Sequence, residues 1–306
     1  MTLLTKGDRL PEDFFQGSVA RIKELQRDNG AIPWFDGGVI DPWNHTEAAM
    51  GLAVLGEMQA AERAYAYLMD TQLDDGSWWG ELGSAVPMDE EEQRYTGGEE
   101  GAGKPVRDTN FAAYIATGAW HHFLLTGDKT FLTDIWPHVK KAMEFILAHQ
   151  TEHGDIRWAA DDPHTPEDDA LITGCSSIYK SLECAVHIAR EMNEPSRDWT
   201  IARQRLGEAL RDKPHRFDRT WEPKTRYSMD WYGQRKKAEQ LLSWQHQWRS
   251  DCGAYWMGFQ FEDKVAWPQE RPAWTAAAVI LATDAVISMT PASHLFAERT
   301  LAEAAE

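Results

Sequence analysis

The stretch "QLDDGSWWG", Gln72 to Gly80, decides the fold. It sets a glutamine, a glycine four positions on and a tryptophan two beyond that, just where a run of helical periodicity gives out. Two further stretches follow the same pattern: "QRDNGAIPW" from Gln26 to Trp34 and "QTEHGDIRW" from Gln150 to Trp158. Three such matches are an internal repeat, and a repeat constrains the architecture before any single helix is assigned. In each copy the glycine ends a helix of mixed polarity. The glutamine side chain is placed to bond backbone carbonyls left free there or in the next repeat, and the tryptophan to cover the joint.

Working outward, each joint leads to a helix rich in Ala, Gly and other small residues. These are "TEAAMGLAVLG", "NFAAYIATGAW", "CSSIYKSLECAV" and "WTAAAVILATDAV". Small residues let helices approach closely, as an inner ring requires, while their amphipathic partners form an outer ring. Helical periodicity covers 12–27, 44–57, 58–73, 109–126, 129–150, 174–193, 197–212, 236–249, 272–289 and 292–305. Pro11 to Asp13 opens the first of these, Asp108 caps the fourth, and Pro272 sits in the first turn of the ninth. Strand alternation is nearly absent. The expectation is an all-α, (α/α)6-like toroid of alternating outer and inner helices.

No Pro/Gly/Ser-rich linker divides the 306 residues, so residues 1–306 are expected to form a single toroid domain. A net charge of −18 argues against nucleic acid and against anionic membrane surfaces as partners. Three cysteines, none in a CxxC pair, suit a reducing compartment. The opening "MTLLTKGDRLPEDFF" lacks an apolar signal core, and no apolar run reaches the roughly 18 residues of a membrane span. The expectation is a cytoplasmic protein with no integral membrane segment and a small-molecule substrate. Nothing in the sequence specifies its cofactor or its oligomeric state. Fifteen tryptophans are enough to line a cavity, where flat faces meet sugars, cations or isoprenoid chains.

The Gln-Gly-Trp stretches resemble the QW repeats of the squalene/hopene cyclase and protein prenyltransferase superfamily, whose fold is an α/α toroid. A fourth copy, "RSDCGAYW", has Arg249 in place of glutamine. The passages "DGGVIDPWNHTEAAM", "RDTNFAAYIATGAWHHFLLTGD", "LITGCSSIYKSLECA" and "RYSMDWY" are similar to bacterial prenyltransferase-like proteins. The resemblance implies a prenyltransferase-like or terpene cyclase-like enzyme, acting on an isoprenoid in an aromatic-lined cavity. One departure stands out. A six-pair ring needs twelve helices, yet "YSMDWYG" runs directly into the outer-type "QRKKAEQLLSWQHQW". The ring is expected to be one inner helix short, or the chain to lack a stretch found in similar proteins.

If outer and inner helices alternate, the inner N-termini share one rim, where polar residues gather. Asp41, Trp43, His45 and Glu47 begin the first inner helix; Asp108, Asn110 and Tyr114 the second; Cys175, Ser176, Ser177 and Tyr179 the third. Tyr227, Asp230 and Trp231 follow, and Trp274 heads the last inner helix. Asp41, Glu47, Asp108 and Asp230 are the candidate catalytic carboxylates. Trp43, His45, Asn110, Tyr114, Ser176, Tyr179, Tyr227, Trp231 and Trp274 are the candidate substrate contacts. Capping is an equal reading for Asp41 and Asp108, and packing a better one for Cys175. His121-His122 reads as core or surface histidines in preference to ligands.

Specific chemistries can then be tested. The Asp-x-Asp-Asp acid of squalene-type cyclases, the Asp-Asp-x-x-Asp magnesium motif and the Asp-x-Cys zinc pair are all missing from the sequence. CxxC, HExxH and P-loop motifs are missing too, and no metal site is expected. The leading expectation is acid-initiated chemistry on an isoprenoid, with aromatic faces stabilising a cation. The alternative is a carbohydrate-active toroid, with paired carboxylates as acid and base and tryptophans stacked on sugar rings. A third is a non-catalytic toroid that binds a ligand.

Overall fold

The computed structural model describes residues 7–80, 106–160, 169–219, 235–260, 262–266 and 269–297. Among these residues the helices are α1 (Gln16–Leu25), α2 (Pro42–Val54), α3 (Met58–Thr71), α4 (Thr109–Thr126), α5 (Lys129–Ala148), α6 (Ile172–Glu191), α7 (Arg197–Asp212), α8 (Arg235–Gln245) and α9 (Ala273–Ile287). They form an α/α toroid. In the inner layer α2 packs between α9 and α4, and α4 packs on α6. Outside it, α1 lies on α9, α3 on α2, α5 on α4, α7 on α6 and α8 on α9.

Composition explains the division into layers. Helix α2 is buried from His45 through Val54, and α4 from Ala112 through His122, so each is covered on all sides. An outer helix such as α7 buries one stripe, Trp199, Ala202, Arg203, Leu206, Ala209 and Leu210, and leaves the rest to water. Gly51 of α2 shows how close the inner helices come. A Cβ there would lie 2.8 Å from the Ala277 Cβ of α9.

The Gln-Gly joint is a clasp between successive outer helices. The Gln26 amide donates to Gly30 O at 3.2 Å and to Ala60 O of α3 at 2.9 Å. Gln72 repeats this with Gly76 O at 3.0 Å and His138 O of α5 at 2.9 Å. Gln150 does so with Gly154 O at 3.0 Å and Ala202 O of α7 at 2.9 Å. The glycines are required twice over. Gly76 has φ +91°, and a Cβ on it would sit 2.2 Å from Lys141 O. In the fourth copy the Arg249 guanidinium donates to Phe14 O at 2.6 Å, tying that joint to the approach of α1.

Several expectations need correction. The first helix begins at Gln16 instead of residue 12, because residues 12–15 form turns in which Phe14 N donates to Pro11 O and Gln16 N to Asp13 O. Pro272 is the N-cap of α9 and not part of its first turn. Of the expected helix 292–305, the described part is a single 3-10 turn, Ser293–Leu295. Two short antiparallel pairs also occur: β1 (Arg107–Asp108) with β2 (Ala159–Ala160), and β3 (Phe259–Gln260) with β4 (Val265–Ala266). The first pair positions the site. Thr109 N donates to Trp158 O at 2.9 Å, which fixes the start of α4 to the third joint.

Candidate active site

The N-terminal ends of α2, α4 and α6 meet beside these joints. Asp41 is the N-cap of α2, in extended conformation and fully buried. Its Oδ1 accepts from Asn44 N at 2.8 Å; its Oδ2 accepts from Asn44 Nδ2 at 2.6 Å and from Trp34 Nε1 at 2.5 Å. Burial pushes its carboxyl above the ordinary value, against the hydrogen bonds from Asn44 and Trp34, which pull it down. Asp41 is therefore held in place by its neighbours, with both oxygens engaged.

Glu47 lies further along α2 and is 8% exposed. Burial and then the negative charge of Asp41 push its carboxyl up to about 8, so that it carries a proton at neutral pH. Asp108, also 8% exposed, is the N-cap of α4. Its Oδ1 accepts both Asn110 N, at 2.7 Å, and Phe111 N, at 3.1 Å, which leaves Oδ2 outside the cap. Burial raises Asp108 to about 7; its two backbone hydrogen bonds lower it, and Asp41 adds a smaller upward push. Asp41 thus acts electrostatically on two carboxyls, one on its own helix and one on the next.

An aromatic floor adjoins them. Trp43 stacks on Tyr114, with 4.6 Å between ring centroids and 19° between planes. The Trp43 indole donates to Ser177 Oγ of α6 at 3.3 Å, so one side chain links three inner helices. Burial raises the Tyr114 phenol, and the Glu47 charge adds to that push.

A cavity of about 210 Å³ opens next to Asp108 and Asn110, walled by Phe111, Ile156, Trp158, Leu171 and Ile178. A larger cavity of about 920 Å³ lies elsewhere, by Leu55 and Ile287 near the C-terminal ends of α2 and α9, apart from the carboxylates. Among the described residues no group of His, Cys, Asp and Glu could hold a metal ion. No helix among them is long and apolar enough to cross a membrane.

The structure thus gathers Asp41, Glu47, Asp108, Trp43, Asn110 and Tyr114. Three candidate contacts are engaged within or between helices. His45 is fully buried, accepting from Ile32 N at Nδ1 and donating from Nε2 to Ala64 O at 2.8 Å, so it ties α2 to α3. Burial lowers it to about 4, and it stays neutral. The Ser176 hydroxyl donates to Ile172 O of its own helix at 2.6 Å. Tyr179 lies under the Arg203 guanidinium of α7, 4.1 Å from ring centroid to Cζ, on the outward side of α6. Trp274 is half-buried in the first turn of α9. Tyr227, Asp230 and Trp231 lie outside the described residues. Ser177, placed on the rim by the sequence but not among the candidate contacts, is the serine that meets Trp43. The sequence reading assigned Trp34 and Trp158 to the joints alone, although one anchors Asp41 and the other walls the cavity. Their proximity to Asp41 and Asp108 is set by loop paths that carry no periodic signal.

No family model matches the chain. Among solved structures, the Streptomyces avermitilis alpha-L-rhamnosidase complexed with L-rhamnose shares 16% identity at TM-score 0.45, over 68% of this chain and 19% of that one. The GH76 alpha-mannanase of Bacteroides thetaiotaomicron shares 11% at TM-score 0.41, over 89% and 69%. The sequence comparison reaches further. The MMP endo-(1,4)-3-O-methyl-alpha-D-mannosidase of Mycolicibacterium hassiacum is 34% identical over 341 residues, spanning 94% of this chain and 89% of the relative. That aligned span exceeds the 306 residues of this chain, so the relative carries internal residues with no counterpart here. The finding overturns the expected kinship with squalene/hopene cyclases and prenyltransferases, and with it the isoprenoid chemistry. The Gln-Gly-Trp joint is a device for clasping outer helices and does not mark that superfamily. At this identity and coverage, the chain belongs to the family of the Mycolicibacterium endo-mannosidase.

Proposed function

We propose that this protein is a glycoside hydrolase that cleaves α-1,4 bonds inside mannose chains bearing 3-O-methyl groups, as the name of its relative describes. One observation carries the reading: Glu47 and Asp108, each 8% exposed, both feel the Asp41 charge, and burial raises both carboxyls, Glu47 to about 8 and Asp108, held by two backbone N–H groups, to about 7. Glycoside hydrolysis needs an acid that protonates the leaving oxygen and a carboxylate that supports the sugar cation and its capture by water. Glu47, in a dry position near the Asp41 charge, keeps its proton and is the acid. Asp108, whose Oδ1 is stabilised by two backbone N–H groups, is the carboxylate, with Oδ2 turned to the reaction. The stacked Trp43 and Tyr114 offer a flat surface for a sugar face. The substrate is a carbohydrate.

The test is incubation with an α-1,4-linked oligosaccharide of 3-O-methylmannose, with products read by mass spectrometry. Shorter oligosaccharides from internal cleavage are expected from the wild type, and none from Glu47→Gln or Asp108→Asn. Intact substrate after prolonged incubation with folded wild-type protein would sink the proposal.

A further inference from the structure

The cavity beside Asp108 is too small to be the whole substrate site. At about 210 Å³ it falls below the roughly 300–1,000 Å³ of pockets that enclose a complete ligand. Its walls are mostly apolar, from Phe111, Ile156, Trp158, Leu171 and Ile178. Cys175 completes them as an inert surface. Its thiol donates to Ile156 O at 3.3 Å, and burial pushes it up to about 12. The polar lining is Asp108, Thr109 and Asn110 at the start of α4, with Thr173 of α6. The Asn110 side-chain oxygen is buried and has no hydrogen-bond partner among the described residues. An unpaired buried acceptor next to an apolar recess fits a substituent with a hydroxyl on one carbon and a hydrocarbon group on its neighbour.

We infer that this recess seats the methyl ether of a 3-O-methylated mannose unit, with the Asn110 carbonyl accepting from an adjacent sugar hydroxyl. The inference rests on the proposed mannosidase reading and adds the residues that select methylated over plain mannose. A methyl ether has lost the hydroxyl proton of mannose and gained a CH3. Apolar walls reward that exchange, whereas a site lined with hydrogen-bonding groups penalises it. One methyl group in a fitted apolar recess is worth about tenfold or more in discrimination.

Gly174 provides a gentle way to test this. It lines the cavity inside α6, and a Cβ there would meet the Asn110 Cβ at 3.5 Å and the Leu171 Cβ at 3.8 Å, both ordinary contacts. Gly174→Ala therefore adds one methyl group to the recess without a clash, and alanine favours the helix. The experiment compares calorimetric affinities for two α-1,4-linked mannose disaccharides, with and without 3-O-methyl groups, in wild type and Gly174→Ala. The expected result is a preference of about tenfold for the methylated disaccharide, reduced several-fold by Gly174→Ala at unchanged or higher melting temperature. Saturation-transfer NMR should place the strongest contact on the 3-O-CH3 protons. Equal affinities in the wild type, or a preference untouched by Gly174→Ala, would overturn the inference. Binding is read without cleavage, so selective binding by a protein that cleaves neither sugar would retain the recess and remove the hydrolase reading.

Discussion

Trp43 of α2 and Tyr114 of α4 lie ring against ring, 4.6 Å apart, while the Trp43 indole also reaches Ser177 of α6. The contact joins consecutive inner helices, and in the proposed reading its rings support a sugar face. Replacing Trp43 with alanine removes both. A KM increase of about tenfold with little change in kcat is expected, equivalent to about 1.4 kcal/mol of binding. Trp43→Phe should recover most of it in steady-state kinetics on the methylated oligosaccharide. A fall in kcat alone would contradict a positioning role for the ring.

The two carboxyls set the pH dependence. In the proposed mechanism Asp108 is ionised and Glu47 protonated, so kcat/KM should rise with pH through about 7 and fall through about 8. A narrow bell is expected, because the two values are close. A broad plateau down to pH 5 would refute Asp108 as the basic partner.

Asp41 can be separated from the chemistry it influences. In Asp41→Asn the cap acceptor is kept, but the amide group that replaces Oδ2 faces the Trp34 Nε1 and Asn44 Nδ2 donors, at a cost of about 1–3 kcal/mol in denaturant unfolding. Removing the negative charge also relieves Glu47, whose pKa should fall, moving the alkaline limb of the pH profile to lower pH. A limb that stays in place would show that Asp41 does not act on Glu47.

Glu47 should also destabilise the fold it serves. Its ordinary value is 4.5 and its folded value about 8. Between these the unfolded chain releases a proton that the folded protein keeps, so stability falls as pH rises across that window. Glu47→Gln removes the penalty and should stabilise the protein at pH 7 by about 3 kcal/mol while abolishing cleavage. Thermal unfolding at pH 5 and pH 7 checks it, and the gain should be much smaller at pH 5.

A purely structural pair offers a contrast. Glu183 of α6, 1% exposed, accepts from Arg203 of α7 at 2.7 Å and from Lys180 at 2.7 Å. Glu183→Ala leaves the Arg203 charge buried without that carboxylate, and about 3 kcal/mol of stability should be lost. Substrate affinity per folded molecule should not change, because this pair faces the outer layer. Active-site titration alongside urea unfolding measures both.

The repeat was written in the sequence because its physics is local. Gln72 sits four residues before Gly76, and the positive φ of Gly76 and its contact with Lys141 O admit no side chain, so the joint needs these residue types at this spacing. Small-residue helices alternating with amphipathic ones then gave the toroid. Asp41, Glu47 and Asp108 were legible as polar residues at inner-helix starts for the same reason. Their roles were not. One sequence-local cap leaves Asp41 with both oxygens engaged and the other engages only Oδ1 of Asp108 among the described residues, a difference that depends on Trp34 arriving from a loop. For His45 and Tyr179, residue type does not reveal which way a helix face turns. The turn is set by packing: Ala64 O captures one and Arg203 covers the other. The sequence by itself determined the ring and the rim where its carboxylates gather. Only the tertiary structure decided which of them are dry, how strongly Asp41 repels its neighbours, and where an apolar recess opens, since desolvation and Coulomb repulsion depend on distances between helices far apart in the chain.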